Sequence, residues 1–278
     1  MKLSFNRRFL ALLVALTLIL GMFIMPQITP AKADTLPTDR YYDYSDGIAL
    51  AAESETINYA RRETITYELP YGVPTYSPAS MENACGPVAG TIIVGYYDKY
   101  FENLIPNFTA YFAVNGRYRG MSTTYVVPVM QEIYTLMRTN VDDVGVSETD
   151  CLNGLETYVE NKGLSLTYSS VRSGSFIDSA YINAINNMQP VLIFAESLEL
   201  YSLTCYDTYE NINFLQSSQA HIVVGYGYIT VRYYDSSDYN FRTDSYLMVS
   251  SGWTVNSRGF VKVNNSSWMN AAYAVDVN

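Results

Sequence analysis

Histidine occurs once in the 278 residues, tryptophan twice and cysteine three times. One imidazole and three dispersed thiols lack the paired spacing of a zinc site, so no metal is expected. Basic residues are also few: 17 Lys and Arg against 27 Asp and Glu give a formal net charge of −10. Such a surface repels nucleic acid and anionic lipid, and neither is expected as a partner. No phosphate-cradling glycine loop occurs; Gly225 and Gly227 fall inside a strand pattern, where close packing accounts for them. The acidic residues are scattered, with no pair to nominate for glycoside chemistry. No cofactor is expected either.

Long apolar runs are absent everywhere but the start. Lys2, Arg7 and Arg8 form a basic region, Phe9 to Met25 is nearly unbroken apolar sequence, and Ala31-Lys32-Ala33 is a small-x-small processing site. Residues 1–33 therefore read as a signal peptide cleaved after Ala33, giving a secreted chain with no stable membrane insertion and, we expect, a monomer. Its removal takes away four basic and no acidic side chains, moving the formal net charge from −10 to −14. An odd cysteine count (Cys85, Cys151 and Cys205) leaves one thiol outside any internal bridge. Either Cys151 and Cys205 pair, or all three stay reduced. Tyrosine is abundant at 27 residues, which suits strands, interfaces and peptide or glycan clefts alike.

Residues 34–62 are polar and without clean period, a leader or propeptide-like segment. Glu63 to Tyr76 is extended and broken by Pro70 and Pro74, as at a sheet edge. Helical spacing follows at the run after Cys85 (to about Phe101), at Val126–Met137, from a Ser147 cap to Asn161 with a stop at Gly163, and over Ser175–Met188 before Pro190. Strand patterns occupy Leu164–Val171, Val191–Glu196, Ala220–Tyr228, Ile229–Tyr234, Tyr246–Ser251, Gly259–Val263 and Ala272–Val277. The expected class is α+β, one domain over 63–278, with an antiparallel sheet against the Cys85 helix.

Cys85 stands where the chain turns into its most apolar helical run, and Pro87 is tolerated only in a first helical turn. A thiol there faces the positive end of the helix dipole, which favours thiolate. Gly86 is expected to leave room for a substrate backbone. His221 heads the strand pattern HIVVGYGY, and an imidazole brought near that thiol would take its proton. Taken singly, each residue also suits a plain core role.

Cys85-Gly-Pro at a helix start, His221 heading a strand, Gln189-Pro190 before a strand and the later YLMVSSGW together resemble the papain-like cysteine peptidases, most closely the branch of bacteriocin-leader-processing peptidases and their exported relatives, with streptopain a more distant likeness. The likeness spans roughly residues 66–278. It implies a helical lobe facing an antiparallel sheet across a cleft, a peptide or protein substrate, Cys85 as nucleophile and His221 as general base. The family's third residue, an Asn or Asp orienting the histidine, falls on Ser251, with Asp235 as an alternative, and Trp253 would shield that bond. The oxyanion glutamine falls on Ala79, so Asn83 or Ser80 would have to stand in beside the Cys85 N–H. The expected activity is hydrolysis of peptide or amide bonds, weakened by these departures. The alternatives are a weak or inactive module binding peptide or glycan through its tyrosines, and a transglutaminase-like acyl transfer.

Overall fold

The computed structural model describes residues 41–42, 51–141, 145–217, 219–254, 256–263 and 268–278. The expected signal peptide lies outside the described residues. Four helices form among those described: α1 (Cys85–Tyr97), α2 (Val126–Leu136), α3 (Glu148–Asn161) and α4 (Asp178–Asn186). The strands are β1 (Tyr41–Tyr42), β2 (Ala51–Asn58), β3 (Arg61–Glu68), β4 (Tyr111–Phe112), β5 (Arg117–Tyr118), β6 (Val146–Ser147), β7 (Leu166–Ser170), β8 (Arg172–Ser173), β9 (Ser175–Phe176), β10 (Val191–Ala195), β11 (Leu198–Cys205), β12 (Tyr209–Ser217), β13 (His221–Tyr234), β14 (Asn240–Ser250), β15 (Arg258–Lys262) and β16 (Met269–Val277).

The helical lobe facing a sheet across a cleft is not what this chain forms. The molecule is predominantly one antiparallel sheet of ten strands, in the order β2-β12-β11-β15-β14-β13-β10-β16-β7, with β3 joined to β13. The reason lies in two stretches that are not among the strand patterns expected from the sequence. Residues 51–62 pair through their backbones along β12 and β13, and Leu198–Ser217 folds into a long hairpin, β11 with β12. Backbone pairing makes these strands, because only a few of their side chains reach a core.

β13 is the spine of the sheet. Its first half pairs with β10 (Ala195 opposite His221, Val191 opposite Gly225), and its second half pairs with β3 (Gly227 opposite Glu68, Tyr234 opposite Arg61). The change of neighbour falls at a register shift between Gly225 and Gly227. A Cβ on Gly225 would lie 2.3 Å from the Tyr181 hydroxyl of α4, so glycine lets that helix close onto the sheet. β2 and β3 run on from one another through Tyr59 and Ala60, whose N–H groups donate to Thr208 and Tyr234 respectively. The chain thus crosses from β12 to β13 and closes β13, β14, β15, β11 and β12 into a ring, leaving neither β12 nor the upper half of β13 with an open edge. The 62/63 boundary expected from composition falls inside β3.

Two cores result. The larger one gathers α1, whose thirteen residues are all buried, with β10, β13, β16 and the inner faces of the other helices. The smaller one fills the ring with Ile57, Tyr59, Ile212, Val231, Tyr233 and Tyr246. α3 crosses the end of α2 so closely that a Cβ on Gly154 would stand 2.6 Å from the Met137 backbone. Backbone cannot step aside as a side chain can. Gly154→Ala is therefore expected to lower stability by about 2 kcal/mol, measurable as a reduced urea midpoint at unchanged slope. Among the described residues no helix is long and apolar enough to cross a membrane.

Candidate active site

α1 begins at Cys85 itself, after an Ala84 N-cap that offers no side-chain acceptor. The loop before it is tightly wound: Ala79, Ser80 and Asn83 all hold positive φ, at 50°, 69° and 52°. Non-glycine residues in that region cost energy, and three within the seven residues leading to a helix start fix its position firmly. The Asn83 side-chain amide donates to the Asn140 side-chain oxygen, so one of its two N–H groups is engaged. The room expected beside Gly86 is taken. A Cβ there would lie 2.6 Å from Val146 Cγ1 and 3.5 Å from both Cys151 Sγ and Ile222 Cδ1. Glycine serves instead to let the first turn of α1 settle on the entry of β13.

That contact matters because Ile222 directly follows His221. A second contact repeats the arrangement: Gly252, at φ 74°, would bring a Cβ to 3.0 Å from Val88 Cγ1. The first turn of α1 therefore rests on the His221 end of β13 and on the turn leaving β14, which carries Ser251 and Trp253. Residues 85, 221 and 251–253 are drawn from distant parts of the chain to one locus. Cys151, which no spacing argument could have linked to Cys85, lies there too. Its thiol pKa is raised well above the ordinary value, first by burial and then by Cys85.

His221 is 2% exposed. Its Nε2 lies 2.7 Å from the Ser251 carbonyl oxygen, which can only accept, so Nε2 carries the proton. Burial pushes the imidazole pKa down to about 4 from 6.5, against the smaller upward pull of that carbonyl. At neutral pH the ring is thus neutral, with Nδ1 as its basic nitrogen. Trp253 covers the ring at 5.2 Å between centroids. The Ser251 side chain is occupied elsewhere, donating to the Asn256 carbonyl at 2.8 Å and accepting from the Trp253 N–H at 3.1 Å. The orienting contact at position 251 is therefore its main-chain oxygen. Asp235 sits at the opposite end of β13, where Oδ1 accepts from the N–H groups of Ser237 and Tyr239. With β13 between them it lies about 40 Å from His221.

The buried neutral imidazole has a consequence for acid stability. The folded pKa lies below the unfolded value, so the unfolded chain binds the proton first as pH falls. Stability from this site is complete above about pH 6.5 and is lost towards pH 4, a change on the order of 3 kcal/mol. Denaturant unfolding at pH 7 and pH 4.5 should show wild type losing more stability than His221→Gln; equal losses would rule out the buried neutral ring.

None of the three cysteines is bridged, which decides between the two thiol arrangements the sequence allowed: Cys85 and Cys151 are buried, and Cys205 is exposed at the end of β11. Among the described residues no group of three or more His, Cys, Asp or Glu side chains is arranged to hold a metal ion. No protein-family model, curated protein or solved structure matches the chain.

Proposed function

We propose that the protein is a thiol-dependent hydrolase of peptide or amide bonds, with Cys85 as nucleophile and His221 as general base. The observation that carries this reading is the tautomer. With Nε2–H held by the Ser251 carbonyl, the lone pair of a neutral imidazole is on Nδ1, in a ring whose chain neighbour packs on the first turn of α1. Nδ1 takes the thiol proton as sulfur adds to the substrate carbonyl; the C–S bond forms and the carbonyl oxygen gains the displaced pair. The main-chain N–H of Cys85, at the positive end of α1, donates to that oxyanion. Collapse breaks the C–N bond, the amine leaves with the proton from the imidazolium, and a thioester remains. Water, deprotonated by Nδ1, then releases the acid and restores the thiol.

We infer from the basic, apolar and small-x-small order of residues 1–33 that the chain is exported, which would put this activity outside the cell. Detection of the processed chain in culture medium, beginning near Asp34, tests that location.

A second reading, a non-catalytic module that binds peptide or glycan through exposed tyrosines such as Tyr71 and Tyr239, draws on the burial of Cys85 and His221, each 2% exposed. Thiol labelling separates the two, because Cys205 provides an exposed internal reference. Iodoacetamide at pH 7 followed by peptide mass spectrometry is expected to modify Cys85 faster than Cys205, and His221→Ala is expected to slow Cys85 about tenfold. Labelling confined to Cys205 would favour the module.

A further inference from the structure

A cavity of about 590 Å³ opens between the residues following β3, the β4–β5 hairpin and the segment entering β15, where Asn256 and Ser257 also bond Ser251. Arg117 and Arg258 both line it, and none of its eight lining residues is acidic. In a chain of net charge −10 that is a locally inverted surface. Arg258 is pinned: Nη2 donates to the Val73 carbonyl at 2.7 Å, and the guanidinium lies 5.3 Å from the centre of the Tyr226 ring. Arg117 has no ion pair or hydrogen bond for its guanidinium among the described residues. Glu68 is within electrostatic range of Arg258, yet it lies outside the lining, and burial raises its carboxyl pKa. Two cations facing one cavity repel each other unless an anion enters.

The walls are built with care for position. Tyr71 and Asn256 hold left-handed backbone, at φ 66° and 54°. Gly116, at φ 61°, presents its backbone to the Tyr71 ring, where a Cβ would come within 2.5 Å. Tyr71 is held from another side by Tyr111, 5.4 Å between centroids. Tyr118 forms the facing wall, and the Lys99 ammonium behind it, 5.8 Å from the ring centre, adds to the positive potential. Left-handed backbone at Tyr71 and Asn256 and the close approach of Gly116 to the Tyr71 ring hold the walls in place beside the two arginines.

We propose that this cavity binds the carboxylate of a peptide, the guanidinium groups of Arg117 and Arg258 gripping the anion and the Tyr71 and Tyr118 rings packing against the adjoining side chain. Arginine's planar fork matches a carboxylate in two-pronged geometry, and the rings supply the apolar contact that a bare inorganic anion would not use. The inference does not depend on the Cys85 chemistry, and binding alone tests it.

Calorimetric titration of the full chain would use four N-acetylated tripeptides or controls: Ala-Tyr-Gln with a free C-terminus, Ala-Tyr-Glu amidated, Ala-Tyr-Gln amidated, and inorganic phosphate. One or both charged peptides are expected to bind at least about tenfold more tightly than the neutral one, with affinity falling as salt rises. The stronger of the two charged arms identifies the source as chain terminus or acidic side chain. Arg117→Gln, an exposed position, should weaken that binding about tenfold, and Gly116→Ala should weaken it by displacing Tyr71. Equal binding of the neutral peptide, silence of both charged peptides, phosphate binding alone, or an Arg117→Gln protein that binds as wild type would each overturn the proposal.

Discussion

Replacing Cys85 by alanine is expected to abolish amide hydrolysis, a loss of about ten-thousandfold or more in kcat/KM. The side chain is small and buried, so folding should survive the change. His221→Ala should cost nearly as much, and the double variant little more than either alone, because a nucleophile and its base act as a unit. Ser251→Ala provides the contrast. The acceptor for His221 Nε2 is the main-chain oxygen, which alanine keeps, so this variant should lose only a few-fold through the slackened contacts to Asn256 and Trp253. Steady-state kinetics on a fluorogenic peptide library settles the matter. A Ser251→Ala protein as impaired as His221→Ala would assign the orienting role to the hydroxyl, and a Cys85→Ala protein with full activity would end the thiol mechanism.

The largest stability effect is expected at Glu210. Its carboxylate is wholly buried within the ring, gripped by Arg62 through two bonds of 3.0 Å and by the Tyr233 hydroxyl at 2.6 Å. Glu210→Leu would leave a largely buried guanidinium without its counter-charge and a buried phenol without an acceptor. Removing one partner of such a pair costs roughly 3–5 kcal/mol, and the partial exposure of Arg62, 18%, puts the expectation near 3–4. The pairing joins β3 to β12 across the ring, so the loss should also raise hydrogen exchange along β2 and β3. Chemical denaturation measures the first effect and amide exchange the second. A variant within 1 kcal/mol of wild type would show that the ring closes without this bridge.

Local pattern was a sound guide wherever one face of an element is apolar. The spacing at Val126, Met130 and Ile133 gave a helix that forms over Val126–Leu136, and the Ser147 cap forms as expected, its Oγ accepting from the Asp150 N–H. Val191–Ala195, buried at every position, was equally plain. Ala220–Tyr228 and Ile229–Tyr234 read as separate strands, yet they form one, His221–Tyr234, whose register shift falls at Gly225–Gly227 and not at the expected break between Tyr228 and Ile229. β2 was illegible for a different reason. Of its fully described residues only Ile57 is buried, and its partner, β12, arrives about 150 residues later. Sequence carries the chemistry of a side chain, but not the identity of a distant backbone that will take up its hydrogen bonds. The site divides the same way. Cys85 at a helix start and His221 at a strand start were visible as residues, whereas Cys151 beside Cys85 and the carbonyl that holds His221 follow only from the folded path.

The crossing of residues 51–68 from β12 to β13 bears on when the protein can become itself. These strands emerge early during synthesis, yet each must wait for a partner from the last third of the chain. Contacts so far apart in sequence make for slow acquisition of the native state. Until β12 and β13 follow, β2 and β3 travel as lone strands, and a chain interrupted before the end of β15 at Lys262 has no means of closing its ring.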